Sequence, residues 1–196
     1  MKKTTILMSA IILFAFTTHA QTQKNWYIIG GNLSNIGLDF QENNTAFSFN
    51  ITPRVAWFVK DNLAVGAEVL AGVNTSSGFT SVTYGIGPIA RYYVSQKDLT
   101  LGRARFFLDA NVGIYGTNIK TTGIPSSTTN GLGIGIGPGL AYFLNENIAL
   151  ETLLKYNSNV GFGNSITRNS LVLGIGFQIH LPRAKLKSLK NEIEKM

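Results

Sequence analysis

Apolar and polar side chains alternate one by one along most of this chain. Over residues 47–59 the odd positions read Phe47, Phe49, Ile51, Pro53, Val55, Trp57 and Val59. The even ones read Ser48, Asn50, Thr52, Arg54, Ala56 and Phe58. A period of two marks a strand whose two faces meet different surroundings. The pattern returns over residues 63–74, 82–94, 105–115, 132–142, 148–157 and 170–181. It is weaker over 25–33, where Tyr27, Ile29, Gly31 and Leu33 make the apolar face. The spacing predicts eight strands. They are longer than the five or six residues usual in soluble sheets, and long enough for a bilayer, which takes about 9–11 tilted residues. No stretch after the first twenty residues is apolar enough for a transmembrane helix.

The links between segments differ at the two ends. Lys60-Asp61-Asn62 and Leu144-Asn145-Glu146-Asn147 read as tight turns, with a longer link from Ser95 to Arg103 at the same end. At the other end the links 34–44, 74–80, 117–130 and 158–167 are rich in Ser, Thr, Asn and Gly. Short turns on one side and longer polar loops on the other fit a barrel of the outer-membrane kind. Aromatics on the apolar face sharpen this reading. Trp57, Tyr92, Phe106 and Tyr142 lie beside the short turns, joined by Tyr27 and Phe177, whereas Phe47, Tyr84 and Tyr156 lie beside the long links. Ten residues separate Phe47 from Trp57. At about 3.3 Å per residue and a tilt near 45° they span roughly 23 Å, close to the ~25 Å apolar band between two aromatic girdles.

Charge placement separates a membrane barrel from a soluble one. Arg54, Glu68, Arg91, Arg105, Asp109, Glu151 and Lys155 all fall on the polar face. A cation facing lipid at midplane would cost about 2–4 kcal/mol. A soluble barrel would turn its apolar face inward and leave those charges in water. With four cations and three anions, the set suits an ion-pair network inside a closed lumen. If Asp61 centres its turn, Arg54 and Glu68 face each other across two strands. Gly131, Gly133, Gly135 and Gly137 resemble part of a dinucleotide fingerprint, but Leu132, Ile134 and Ile136 carry the alternation straight through them, with no helix to follow. Inward glycines there make room for Phe107, Tyr115 or Lys155. Pro53, Pro88 and Pro138 fall in mid-strand, where a missing ladder donor predicts local bulges.

The formal charge of +7 is concentrated at the two ends. Lys2 and Lys3 open the chain, five more cations follow residue 181, and the stretch 21–181 holds ten basic and eight acidic side chains. The scattered cations of the body argue against nucleic acid. Residues 1–20 have the form of a secretory signal peptide: Lys2 and Lys3, an apolar run over 6–16, then Thr18 and Ala20 at positions −3 and −1 of a cut. The mature chain then starts near Gln21. Without Cys there is no disulfide, thiolate site or lipoprotein anchor.

The leader, the eight segments and the two aromatic–turn–apolar units at 56–66 and 141–150 together resemble the small outer-membrane β-barrel domain family, the OmpA/OmpX-like group often labelled porin family. The likeness covers roughly residues 24–181. It implies an all-β, eight-stranded antiparallel up-and-down barrel exported through the periplasm to the outer membrane. Residues 21–181 form that barrel and 182–196 a basic periplasmic tail, in which Leu186, Leu189 and Ile193 have helical spacing. The last strand, with Gly174, Phe177 and Ile179, is similar to the signal read by the barrel-assembly machinery. It departs from that signal in having Val172 where a polar residue is usual. The implied partners are outer-membrane lipids, that machinery during biogenesis, and an unknown ligand at the loops. The expected role is a barrel with a plugged lumen that interacts through its surface loops. The alternatives are a small porin-like channel or a lipid-modifying barrel enzyme. Catalysis is not expected, because the mature chain keeps one histidine, His180, with no strand serine evidently beside it. No cofactor and no metal site are expected.

Overall fold

The computed structural model describes residues 22–41, 44–95, 102–163, 167–184 and 188. The leader, the tail residues Leu186, Leu189 and Ile193, and most of the 95–103 link lie outside these. The described residues form eight strands: β1 (Trp26–Gln41), β2 (Asn44–Lys60), β3 (Leu63–Ser76), β4 (Phe79–Tyr93), β5 (Ala104–Thr121), β6 (Ile124–Phe143), β7 (Ile148–Gly161) and β8 (Thr167–Pro182). Each runs antiparallel to the next, and β8 returns to β1 to close a barrel.

The stagger of that closure can be read from the pairing. Directly paired residues lead from Tyr93 through Phe107, Gly139, Leu153, Gly174, Ser34, Asn50 and Gly72 to Thr83, ten residues from the start on the same strand. Eight strands so staggered tilt by about 41° around a wall of ~8 Å radius. A tube that narrow is filled by its own side chains. The wall is also inverted relative to a soluble protein. Val55, Ile86, Ile114, Ile134 and Leu173 are exposed on its outer surface, while Arg54, Glu68, Asp109 and Glu151 are buried within.

Two features differ from expectation. The outer links are shorter than predicted, because the strands continue through them. β3 and β4 are joined by Ser77 and Gly78 alone, and β5 and β6 by Thr122 and Gly123. Gly78 and Gly123 supply the left-handed backbone, at φ 72° and 79°. The hydroxyl-rich segments pair across instead of looping: Thr117 faces Thr129, and Asn118 faces Thr128 and donates to its hydroxyl at 2.6 Å. Threonine favours strands, and a sheet polar on both faces is stable in water. The inner turns keep their predicted places. Asn62 (φ 64°) turns the β2–β3 hairpin, and the Asn145 side chain accepts from the amides of Asn147 and Ile148.

The prolines make no bulges. Pro53 pairs in register with Gly31, Pro88 with Ala67 and Pro138 with Leu108. On its other side each leaves a two-residue gap in the ladder, and the register resumes unchanged beyond it. All three point outward, so the lost donor costs one rung on one side and the strand does not buckle. The register shifts lie elsewhere, at Ser34/Gly37, Phe58/Lys60 and Ile119/Thr121.

Candidate functional site

Strand alternation delivers every second side chain to the lumen, and in the inner half of the barrel these are charged. The β2–β3 register sets Arg54 opposite Glu68, and their side chains meet at 3.0 Å. Arg54 also reaches Asp109 on β5 at 2.9 Å. Arg91 on β4 binds the same Asp109 oxygen at 2.9 Å and grips both oxygens of Glu151 on β7, at 2.7 and 3.2 Å. Lys155 reaches Asp109 at 2.8 Å and Glu68 at 3.5 Å. Each of these six side chains is at most 10% exposed. Three cations and three carboxylates cancel, and Asp109 touches all three cations. Charged groups so removed from water persist only when paired and hydrogen-bonded.

Arg105 stands apart from this web, nearer the short-turn end. Its guanidinium donates to the hydroxyl of Thr22, which the sequence did not single out. Thr22 is buried and also donates to Asn62 in the β2–β3 turn at 2.6 Å, while its carbonyl accepts from the Asn62 amide at 2.7 Å. The amides of Lys24 and Asn25 bind Asp61 and Phe58. The segment before β1 therefore folds across the short-turn mouth. Beneath the ion pairs lies a layer of rings: Tyr93, Phe58, Phe107, Phe143 and His180, with the Arg91 guanidinium 4.0 Å from the centre of Phe107. The Tyr93 hydroxyl and His180 Nε2 lie 3.3 Å apart. Gln178 donates to Glu151 at 2.8 Å and meets the Asn32 amide at 3.1 Å. Asn32, Tyr93, Gln178 and His180 all sit on the polar parity of their strands, the one signal by which sequence could have found them.

Glycines shape the space for the bulky groups. A side chain at Gly139 would strike the Phe107 ring, one at Gly133 or Gly85 the Tyr115 ring, and one at Gly135 the amides of Asn111 and Asn157, with the Lys155 stem close behind. Toward the long-link end, the Tyr115 hydroxyl donates to Glu68, and Asn111 donates to that same hydroxyl. The side-chain amides of Asn50, Asn157 and Asn159 line the wall beyond.

The outward aromatics form two tiers. By the barrel's tilt and stagger, Trp57, Tyr92, Phe106 and Tyr142 lie within about 4 Å of one plane. Phe47 and Tyr84 stand roughly 22–26 Å above it and Tyr156 roughly 16 Å, so Tyr156 lies below the upper tier. All seven rings are exposed, and the span between tiers matches an apolar band of ~25 Å.

Solved β-barrel structures are similar to this one in fold. Neisserial surface protein A shares 15% identity at a TM-score of 0.57, over 81% of this chain and 97% of its own. The N-terminal barrel domain of Pseudomonas aeruginosa OprF gives 15% and 0.49, over 81% and 98%. Ail of Yersinia pestis gives 12% and 0.47, over 80% and 99%. Identities this low speak for the fold alone. No curated protein matches the chain by sequence. The family model of the outer membrane protein beta-barrel domain matches residues 7–178, so this chain, a closed eight-stranded barrel with its charges inside and its rings outside, belongs to that family and resides in the outer membrane.

Proposed function

We propose that the protein is a plugged outer-membrane barrel that acts through its outer rim and neither conducts nor catalyses. The carrying observation is the neutral web of Arg54, Glu68, Arg91, Asp109, Glu151 and Lys155 across an ~8 Å-radius tube. Each charge in the web already has its partners, and the ring layer and Thr22 close the tube below. A barrel blocked in this way leaves the rim to meet other molecules.

The rim supports an interacting role. Above Gly131, where β7 ends at Gly161, β6 pairs with β5 on one side only. Among the described residues nothing pairs with residues 124–129 on the other. That edge carries no charge, and an open neutral edge is a template for an added strand. Outer-membrane lipids surround the girdles, and the barrel-assembly machinery is the partner during biogenesis. The absence of catalysis in this reading rests on His180, which is packed among Phe58, Tyr93 and Phe143 with a tyrosine hydroxyl as its neighbour.

Planar-bilayer recording of the purified protein tests the plug. The expected result is a silent membrane, and stable unitary openings overturn the reading. A photo-crosslinking side chain at Thr128, used on intact cells, tests the rim. Adducts there and none from a lumen position support it, and no adduct at any rim position counts against it.

A further inference from the structure

We propose that a phospholipid of the outer leaflet, with a zwitterionic head, binds in a notch in the wall between β1 and β8. The ladder that closes the barrel runs from Trp26 and Pro182 up to Ser34 and Gly174 and stops there. Above it, residues 37–41 pair with β2 alone and residues 167–173 with β7 alone. A register shift between Ser34 and Gly37, with Asn35 in the left-handed region at φ 50°, marks where β1 leaves β8. Side-chain exposure agrees. Leu38, Leu171 and Leu173 flank the notch and are 59–66% exposed, whereas Leu108, Leu132 and Leu150, with a paired strand on each side, are 46–47% exposed.

The height of the notch names its occupant. By the barrel's tilt and stagger its foot lies roughly 12–15 Å above the plane of Trp57, Tyr92, Phe106 and Tyr142. It therefore opens in the outer half of the ~25 Å apolar band. Backbone N–H and C=O groups left unpaired at that depth need polar partners, which hydrocarbon does not offer and the ester and head groups of a lipid do. The walls suit the rest of such a molecule. Val172, apolar on the lumen-facing parity, is half-buried just above the foot, and the flanking leucines extend its surface outward. At the top, roughly 25–27 Å above the same plane, stand Asp39 on β1 and Arg168 on β8. Both are exposed and on the lumen-facing parity of their strands, and the ion pairs of the web involve neither. An anionic phosphate beside Arg168 and an ammonium beside Asp39 match that pair, whereas a purely anionic head would meet the Asp39 carboxylate. This lipid site lies above the plug and does not depend on whether the lumen conducts.

Photo-crosslinking in vesicles of equal phosphatidylethanolamine and phosphatidylglycerol is the test, with adducts identified by mass and folding checked by the heat-modifiable gel shift. A photo-reactive side chain is placed at Leu171, which faces lipid, at Val172, or at Tyr115, which faces the lumen where β5 is paired on both sides. Lipid adducts are expected at 171 and 172, with few or none at 115. Adducts at 171 without 172, or at 172 and 115 alike, overturn the notch as a lipid site. At 172 the ethanolamine lipid should be captured several-fold over the glycerol lipid. Arg168→Gln combined with Asp39→Asn should level the two while leaving capture at 171 unchanged. Equal capture of both lipids by the unsubstituted notch overturns the zwitterionic head. A preference that survives the double substitution overturns its assignment to Arg168 and Asp39.

Discussion

The barrel has two halves built on one continuous ladder and stabilised differently. In the inner half, near the short turns, six charges and a layer of rings interlock across the lumen, so each strand is tied to strands it does not neighbour. Arg54 on β2 reaches β5, and Arg91 on β4 reaches β7. In the outer rim the same strands run on with uncharged Thr, Ser and Asn side chains, whose bonds are single and exposed, as from Asn118 to Thr128 on the next strand or from Tyr84 on β4 to Asn130 on β6. The sheet's own hydrogen bonds therefore suffice to extend a wall into water. Holding a wall closed around a narrow core in a membrane calls for groups that cannot leave without stranding a charge.

Substitutions should expose that difference. The largest effect is expected at Asp109, the carboxylate shared by Arg54, Arg91 and Lys155. Asp109→Ala leaves three buried cations with two carboxylates and should cost about 3–5 kcal/mol. The urea midpoint of the heat-modifiable gel shift in vesicles would report it. A cost under about 1 kcal/mol would mean that water reaches the web. Next comes the pair Arg54 and Glu68. Arg54→Met alone leaves two cations against three anions, whereas Arg54→Met with Glu68→Leu leaves two of each. The double variant should be more stable than the two single costs predict, by about 1–3 kcal/mol in a double-mutant cycle. Strict additivity would break the comparison, because it would make the inner half as loosely coupled as the rim. The smallest effect is expected at Thr128→Ala, within about 0.5 kcal/mol on the same midpoint, since only one exposed side-chain bond is lost. A loss above about 2 kcal/mol there would erase the distinction between the halves.

The fold was legible because burial in lipid leaves a plain record. Every second residue must be apolar, and a charge of the wrong parity is costly enough to be avoided. The facing of Arg54 and Glu68 could be read for a related reason. The bulge at Phe58/Lys60 moves the centre of the two-residue Asp61-Asn62 turn back by half a residue, onto Asp61. Two kinds of feature stayed hidden. The length of the rim strands was missed because Ser, Thr and Asn serve a water-exposed strand and a loop equally well, so composition does not separate them. The wider web was missed because contacts between β2 and β5, or β4 and β7, depend on barrel radius and stagger, which a single hairpin does not reveal. Thr22 was missed because a segment that folds over a mouth has no period.

The three outward prolines carry a last consequence. Each interrupts the ladder toward the following strand, at β2–β3, β4–β5 and β6–β7, and all three lie at nearly one level of the wall. The ribbons β1–β2, β3–β4, β5–β6 and β7–β8 have no such interruption. The wall is thus a cask in which β3–β4 and β5–β6 are whole hairpin staves, each bent at its outer tip and set between joints slackened at one hoop, while β7–β8 and β1–β2 stay joined across a seam unbroken at that level. A cask made this way loosens stave by stave, and the piece that first comes free, or is last set in place, is two strands wide.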